Sequence, residues 1–192
     1  MEHIGYRKVL RENKGHIRKM GLWFISLLII DQVTKVIAQG ALEGLSGIPL
    51  INGVLSFYFL RNEILYVHQY LLYFIIAVIA FPFLIIYSYA KGYPRLIITG
   101  MIILWCAVFS NNIIDVFALG YIRDFINLHG VAVGNIADQY RNAGFLIIIA
   151  GLIMGEDKSL SRKKIVRIIV ISAAALLLTA LFWRYLAGYL AI

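Results

Sequence analysis

Apolar runs constrain this chain more than any other feature. Stretches of mostly apolar residues lie at about 20–39, 69–89, 95–117, 136–155 and 166–190. A helix needs about 20 such residues to cross a hydrocarbon layer. With 61% hydrophobic and 15% charged residues, and a mean hydropathy of +0.84, the 192-residue chain has too few polar groups to clothe a water-soluble domain. The expected fold class is therefore an all-α integral membrane protein. Three segments divide it: a basic N-terminus at 1–19, a membrane domain at 20–155, and a basic linker with a fifth span at 156–192.

The net charge of +8 does not point to nucleic acid, because the cations fall in short clusters that abut apolar spans rather than along one face. Thirteen of the 18 Lys and Arg residues lie in alternate loops: Arg7 to Lys19, Lys91 with Arg95, and Lys158 to Arg167. The positive-inside tendency assigns those loops to the cytoplasm. The N-terminus is then cytoplasmic, and 40–68 and 118–135 face outward. A basic segment before an apolar one imitates a secretory signal, but the run carries Asp31 and Lys35 and no clean cleavage site follows, so it reads as a retained first span.

One cysteine, Cys106, lies in an apolar run and reads as a packed hydrophobe, and no histidine has a partner at metal spacing. Neither a metal nor a cofactor is expected. The first outer segment carries Asn52-Gly53 and then VLSFYFL. It reads either as a short interfacial β segment or as an aromatic anchor without a sheet. Pro82 predicts a kink in the second span.

The polar residues are few enough to weigh singly. Asp31 and Lys35 in DQVTK are four apart and share a helical face, either as a buried ion pair or as contacts to a polar ligand. In SNNIID, Asn111, Asn112 and Asp115 bring amides and a carboxylate to the outer end of span three, where they either cap the helix or bind peptide backbone. From Gly120 to Gly144, Arg123, Asp124, Asp138 and Arg141 stand between two apolar runs. Asp124 and Asp138 read separately as an N-cap or an Arg-paired residue. Brought together, they form a pair sharing one proton, the acid and base of an aspartic protease. Serine chemistry lacks a GxSxG elbow, and HExxH is absent.

The ordered set DQVTK, GVLSFYFLRN, NNIID, YIRDFIN and GNIADQYRNAG resembles the lipoprotein signal peptidase (signal peptidase II) family over roughly residues 20 to 155. The resemblance implies a four-helix bundle with an interfacial β-cradle and a lid before Asp138. It also implies an aspartyl endopeptidase that removes signal peptides from lipid-modified prolipoproteins at the outer face of the bacterial inner membrane. Asp124 and Asp138 fall at the family's catalytic aspartates. Arg61 and Asn62 fall on its Arg-Asn pair, and these with Asn112, Asn135 and Arg123 are the expected substrate-binding residues. Asp31, Lys35 and Asp115 are the expected structural polar group. Membrane lipid and lipidated precursors are the implied partners.

The chain departs from the family pattern at Val116 in place of arginine, at Asn111 in place of glycine, at Glu63-Ile64-Leu65, and in the span at 166–190. Arg123 is a candidate source of the charge missing at position 116. These departures suit a divergent paralogue. The alternative class of function is a non-catalytic protein that binds lipopeptide or a partner helix.

Overall fold

The computed structural model describes residues 6–63, 72, 74–129 and 131–156. The fifth span at 166–190, the linker before it and His68 lie outside the described residues. A short helix α1 (Tyr6–Glu12) leads into α2 (Lys14–Leu42). At 1.5 Å per residue α2 is about 43 Å long, enough to traverse a bilayer core. Its exposure is inverted relative to a soluble helix: Leu22, Trp23, Ile25, Ile29, Val36 and Ile37 face outward, while Asp31 and Lys35 have no exposed surface. Apolar outside and ionic inside is the pattern of a helix solvated by lipid.

The second helical stretch opens as a π-helix, Ile75–Ala80, and continues as α3 (Phe81–Ala90). The π-helical stretch stands just before Pro82, whose ring removes one N–H donor from the helix. Next comes α4 (Arg95–Val108), which runs through a second π-helical stretch, Phe109–Asp115, into α5 (Val116–Leu119). Gly120, at φ 81°, ends this helix in a left-handed turn that side-chain-bearing residues resist. The last described helix is α6 (Ile136–Glu156).

Helices α4 and α6 meet at unusually close range. A methyl group added to Gly100 would lie 2.8 Å from the Gly144 carbonyl oxygen, and one on Gly144 would lie 2.9 Å from the Leu104 nitrogen. A core of Met20, Ile85, Tyr89, Ile98 and Ile102 joins α2, α3 and α4. Among the described residues two helical stretches, Lys14–Leu42 and Arg95–Leu119, are long and apolar enough to cross a membrane, and Ile76–Ala90 is a shorter apolar helix. The first turns of α6 hold Asp138, Gln139, Arg141 and Asn142, which dilute its apolar character.

The small β segment expected beside the helices is part of a four-stranded antiparallel sheet of order β1-β2-β3-β4. Strands β1 (Ile48–Ile51) and β2 (Leu55–Asn62) form the hairpin foreseen in the first outer segment, turning at Gly53 with φ 71°. The second outer segment, taken as a loop, supplies β3 (Ile122–Leu128) and β4 (Ala132–Gly134). In IRDFINL, alternate apolar residues support a strand, and the two charges between them find partners described below. The sheet rests on the C-terminal end of α2 through Ala38, Leu42 and Phe125, with Phe57, Phe59, Ile126 and Ile136 around them.

Candidate active site

A buried ionic cluster underlies the site. Lys35 Nζ lies 2.6 Å from Asp31 Oδ2 and 3.0 Å from Asp115 Oδ2, and Arg123 Nη2 lies 2.6 Å from Asp115 Oδ1. Two carboxylates and two cations leave the cluster without net charge, a condition for keeping ions out of water. The DQVTK spacing puts Asp31 and Lys35 on one face of α2, and the π-helical stretch turns Ser110, Asn111 and Asp115 toward them. Arg123 Nη2 also donates to Gln32 Oε1 at 2.5 Å.

The cluster positions α6. Asp31 accepts from Ser110 Oγ at 2.6 Å and from the backbone N–H of Ala137 at 2.7 Å. One residue on, Asp138 is held by a reciprocal N-terminal cap. The Asn135 backbone N–H donates to Asp138 Oδ2 at 3.0 Å, and the Asp138 N–H donates to Asn135 Oδ1 at 3.2 Å. The Asn135 side chain reaches the other way, donating from Nδ2 to Asp124 Oδ1 at 2.7 Å. One fully buried asparagine thus ties both aspartates.

The two carboxyl groups have unlike surroundings. Asp124 is buried and, among the described residues, receives neutral amide donors, Asn135 Nδ2 and Asn62 Nδ2, the latter at 2.9 Å. Burial pushes its carboxyl up to about 6, the nearby Asp138 charge adds to the rise, and the Asn62 and Asn135 amides oppose it. Asp138 receives a guanidinium, Arg141 Nη1 at 3.0 Å, and the Asn111 side-chain amide at 3.4 Å, besides the Asn135 N–H. Asn111 Oδ1 in turn accepts from Lys35 Nζ at 2.6 Å, so a single amide links the buried cluster to the site.

Both aspartates open onto one cavity of about 600 Å³. Its lining includes the amides of Asn62, Asn111, Asn112, Gln139 and Asn142, with Arg141, and the apolar residues Ala107, Val108, Ile122, Ile126, Leu128 and Val131 to Val133. A peptide backbone suits the amides and hydrocarbon the apolar residues.

Of the residues expected to touch substrate, Asn62 and Asn112 line the cavity, whereas Asn135 is sealed behind the aspartates. Arg123 is corrected: it faces the buried cluster and is not on the cavity wall, since neighbouring residues of a strand point to opposite faces and Asp124 takes the cavity side. Arg61 is corrected likewise. It is exposed, pairs with Glu43, and stacks 5.1 Å from the Tyr121 ring centre, off the cavity. Asp31, Lys35 and Asp115 are fully buried in the cluster.

Sequence reading passed over Gly134, where an added methyl group would lie 2.6 Å from Asp138 Oδ2. It also passed over the cavity-lining Arg141 as a partner of Asp138. The N-x-x-D spacing of Asn135 and Asp138 is a capping-box signature that could have fixed the start of α6.

A family model described as signal peptidase (SPase) II matches residues 23–154. The chain is 29% identical over 135 residues to a lipoprotein signal peptidase of Fusobacterium nucleatum subsp. nucleatum, covering 66% of this chain and 81% of that one. It is 26% identical over 129 residues to a lipoprotein signal peptidase of Halothermothrix orenii, covering 64% and 87%. A solved bacterial membrane enzyme superposes with a TM-score of 0.61 at 25% identity, over 71% of this chain and 93% of that one. A second solved bacterial membrane enzyme gives a TM-score of 0.63 at 24% identity, over 76% and 94%.

Proposed function

The chain belongs to the signal peptidase II family, and on that premise we propose that it is an intramembrane aspartyl endopeptidase removing signal peptides from lipid-modified prolipoproteins. The observation that carries this reading is the pair Asp124 and Asp138, bridged by Asn135 and opening onto a single cavity. Asp138 pairs with the Arg141 guanidinium while buried Asp124 meets neutral amides, so the proton of the pair is assigned to Asp124. Water bound between them attacks the scissile carbonyl carbon as Asp138 takes its proton. Protonated Asp124 donates a hydrogen bond to the carbonyl oxygen as negative charge develops there. Collapse of the tetrahedral intermediate breaks the C–N bond, and the proton on Asp138 passes to the departing amine.

Asn62 and Asn112 align the peptide backbone. The apolar lining residues accept the lipid anchor, whose transfer contributes about 0.8 kcal/mol per buried methylene. The distribution of Lys and Arg supports a multi-pass protein of the bacterial inner membrane, with a cytoplasmic N-terminus and a site toward the outer leaflet. The binding-only alternative drew its force from the arginine missing at position 116. Arg123, reaching Asp115 from β3, supplies a cation at that carboxylate.

The test is cleavage of a diacylglyceryl-modified precursor peptide in lipid nanodiscs by wild type, Asp124→Asn and Asp138→Asn. Each variant is expected to lose at least about 10³-fold in turnover while keeping the wild-type thermal transition. Undiminished cleavage by both would overturn the aspartyl mechanism.

A further inference from the structure

The cavity meets β3 and β4 in different ways. From β3 it touches Ile122, Asp124, Ile126 and Leu128, every second residue, as it must if it lies against one face of the sheet. From β4 it touches Ala132, Val133 and Gly134, which are consecutive. Side chains of successive strand residues point to opposite faces, so a surface that borders all three runs along the edge of the strand. Among the described residues β4 is the end of the sheet and pairs on one side only, with β3.

We propose that the peptide segment of the substrate docks as a fifth strand on the outer edge of β4. The proposal rests on the protease reading and deepens it. Alternate residues of an antiparallel strand turn both backbone groups away from their partner. The edge of β4 therefore offers the outward N–H and C=O of Val133, or those of Ala132 and Gly134. A peptide laid there passes beside Asp138, whose Oδ2 occupies the space a Gly134 side chain would fill. Asn112 and Asn142 line the same cavity. Main-chain pairing recognises an extended conformation rather than a sequence, which suits an enzyme that processes many precursors.

The test changes the substrate and leaves the protein intact. A lipidated peptide with its scissile amide reduced to CH₂–NH is prepared as a series, each member carrying one backbone ester in place of an amide. Affinity for the wild-type protein is measured in nanodiscs. Strand addition predicts that binding weakens about three- to tenfold at every second position near the scissile bond and little at those between, because each ester removes one N–H donor. A flat profile, or one without alternation, overturns the proposal. Turnover of the unmodified peptide is read separately: alternation without turnover would reject the catalytic reading and keep the docking mode, and turnover without alternation would do the reverse.

Discussion

Single residues set the acid and base roles through their hydrogen-bond partners. Asp124 can act as a proton donor only while protonated, and its carboxyl lies near 6 instead of the ordinary 3.8. Turnover should accordingly fall about tenfold per pH unit above that midpoint. Asn62 donates to Asp124 and favours its charged form, so Asn62→Leu removes a force that lowers the carboxyl. The alkaline limb of kcat/KM is expected to move to higher pH in that variant, and a shift to lower pH would reject the assigned role. Gly134 acts by being small: Gly134→Ala places a methyl group 2.6 Å from Asp138 Oδ2, which forces the carboxylate aside. A displacement of this kind costs about 10²-fold in rate. Initial-rate measurements beside a thermal melt would separate that loss from unfolding. Neither effect is legible in the sequence, since a glycine in GNIAD carries no sign of which atom fills the space it leaves. The cap between Asn135 and Asp138 is legible, because its spacing alone specifies it.

At the scale of elements, the period of each segment decides which side chains can meet. The four-residue spacing of Asp31 and Lys35 predicts a shared helical face, and the buried pair in α2 follows from it. Arg123 and Asp124 illustrate the opposite outcome. Read as a loop, RDF allows both to reach substrate; read as part of β3, the period of two sends them to opposite sides, one to the ionic cluster and one to the cavity. The missing information was the pairing of β3 with β2, a contact between residues some 60 apart that no local pattern reports. The cluster itself should be brittle. Lys35→Met leaves Asp31 and Asp115 with fewer cations in a site closed to water, at a cost of about 3–5 kcal/mol. A thermal melt in detergent is expected to show a strongly lowered transition. Asn111, held by Lys35, would also lose its anchor, so residual folded protein should turn over slowly.

For the whole molecule, the surrounding medium decides the sign of a surface mutation. Ile29 is 56% exposed on α2, and its nearest charged neighbours on that helix, Asp31 and Lys35, are fully buried. In water, replacing such an exposed isoleucine by lysine would be neutral or favourable, since it removes apolar surface from solvent. In a bilayer, the same change near the middle of a span puts an ammonium group among acyl chains and costs roughly 2.5–3.5 kcal/mol on an insertion scale. The two media therefore predict opposite outcomes for Ile29→Lys, with Ile29→Leu as a control that should be silent in both. Membrane fractionation together with unfolding in nanodiscs reads the difference. The lysine variant is expected to be poorly inserted and less stable, and the leucine variant to match wild type. A lysine variant as stable as wild type would mean that α2 does not face lipid at residue 29.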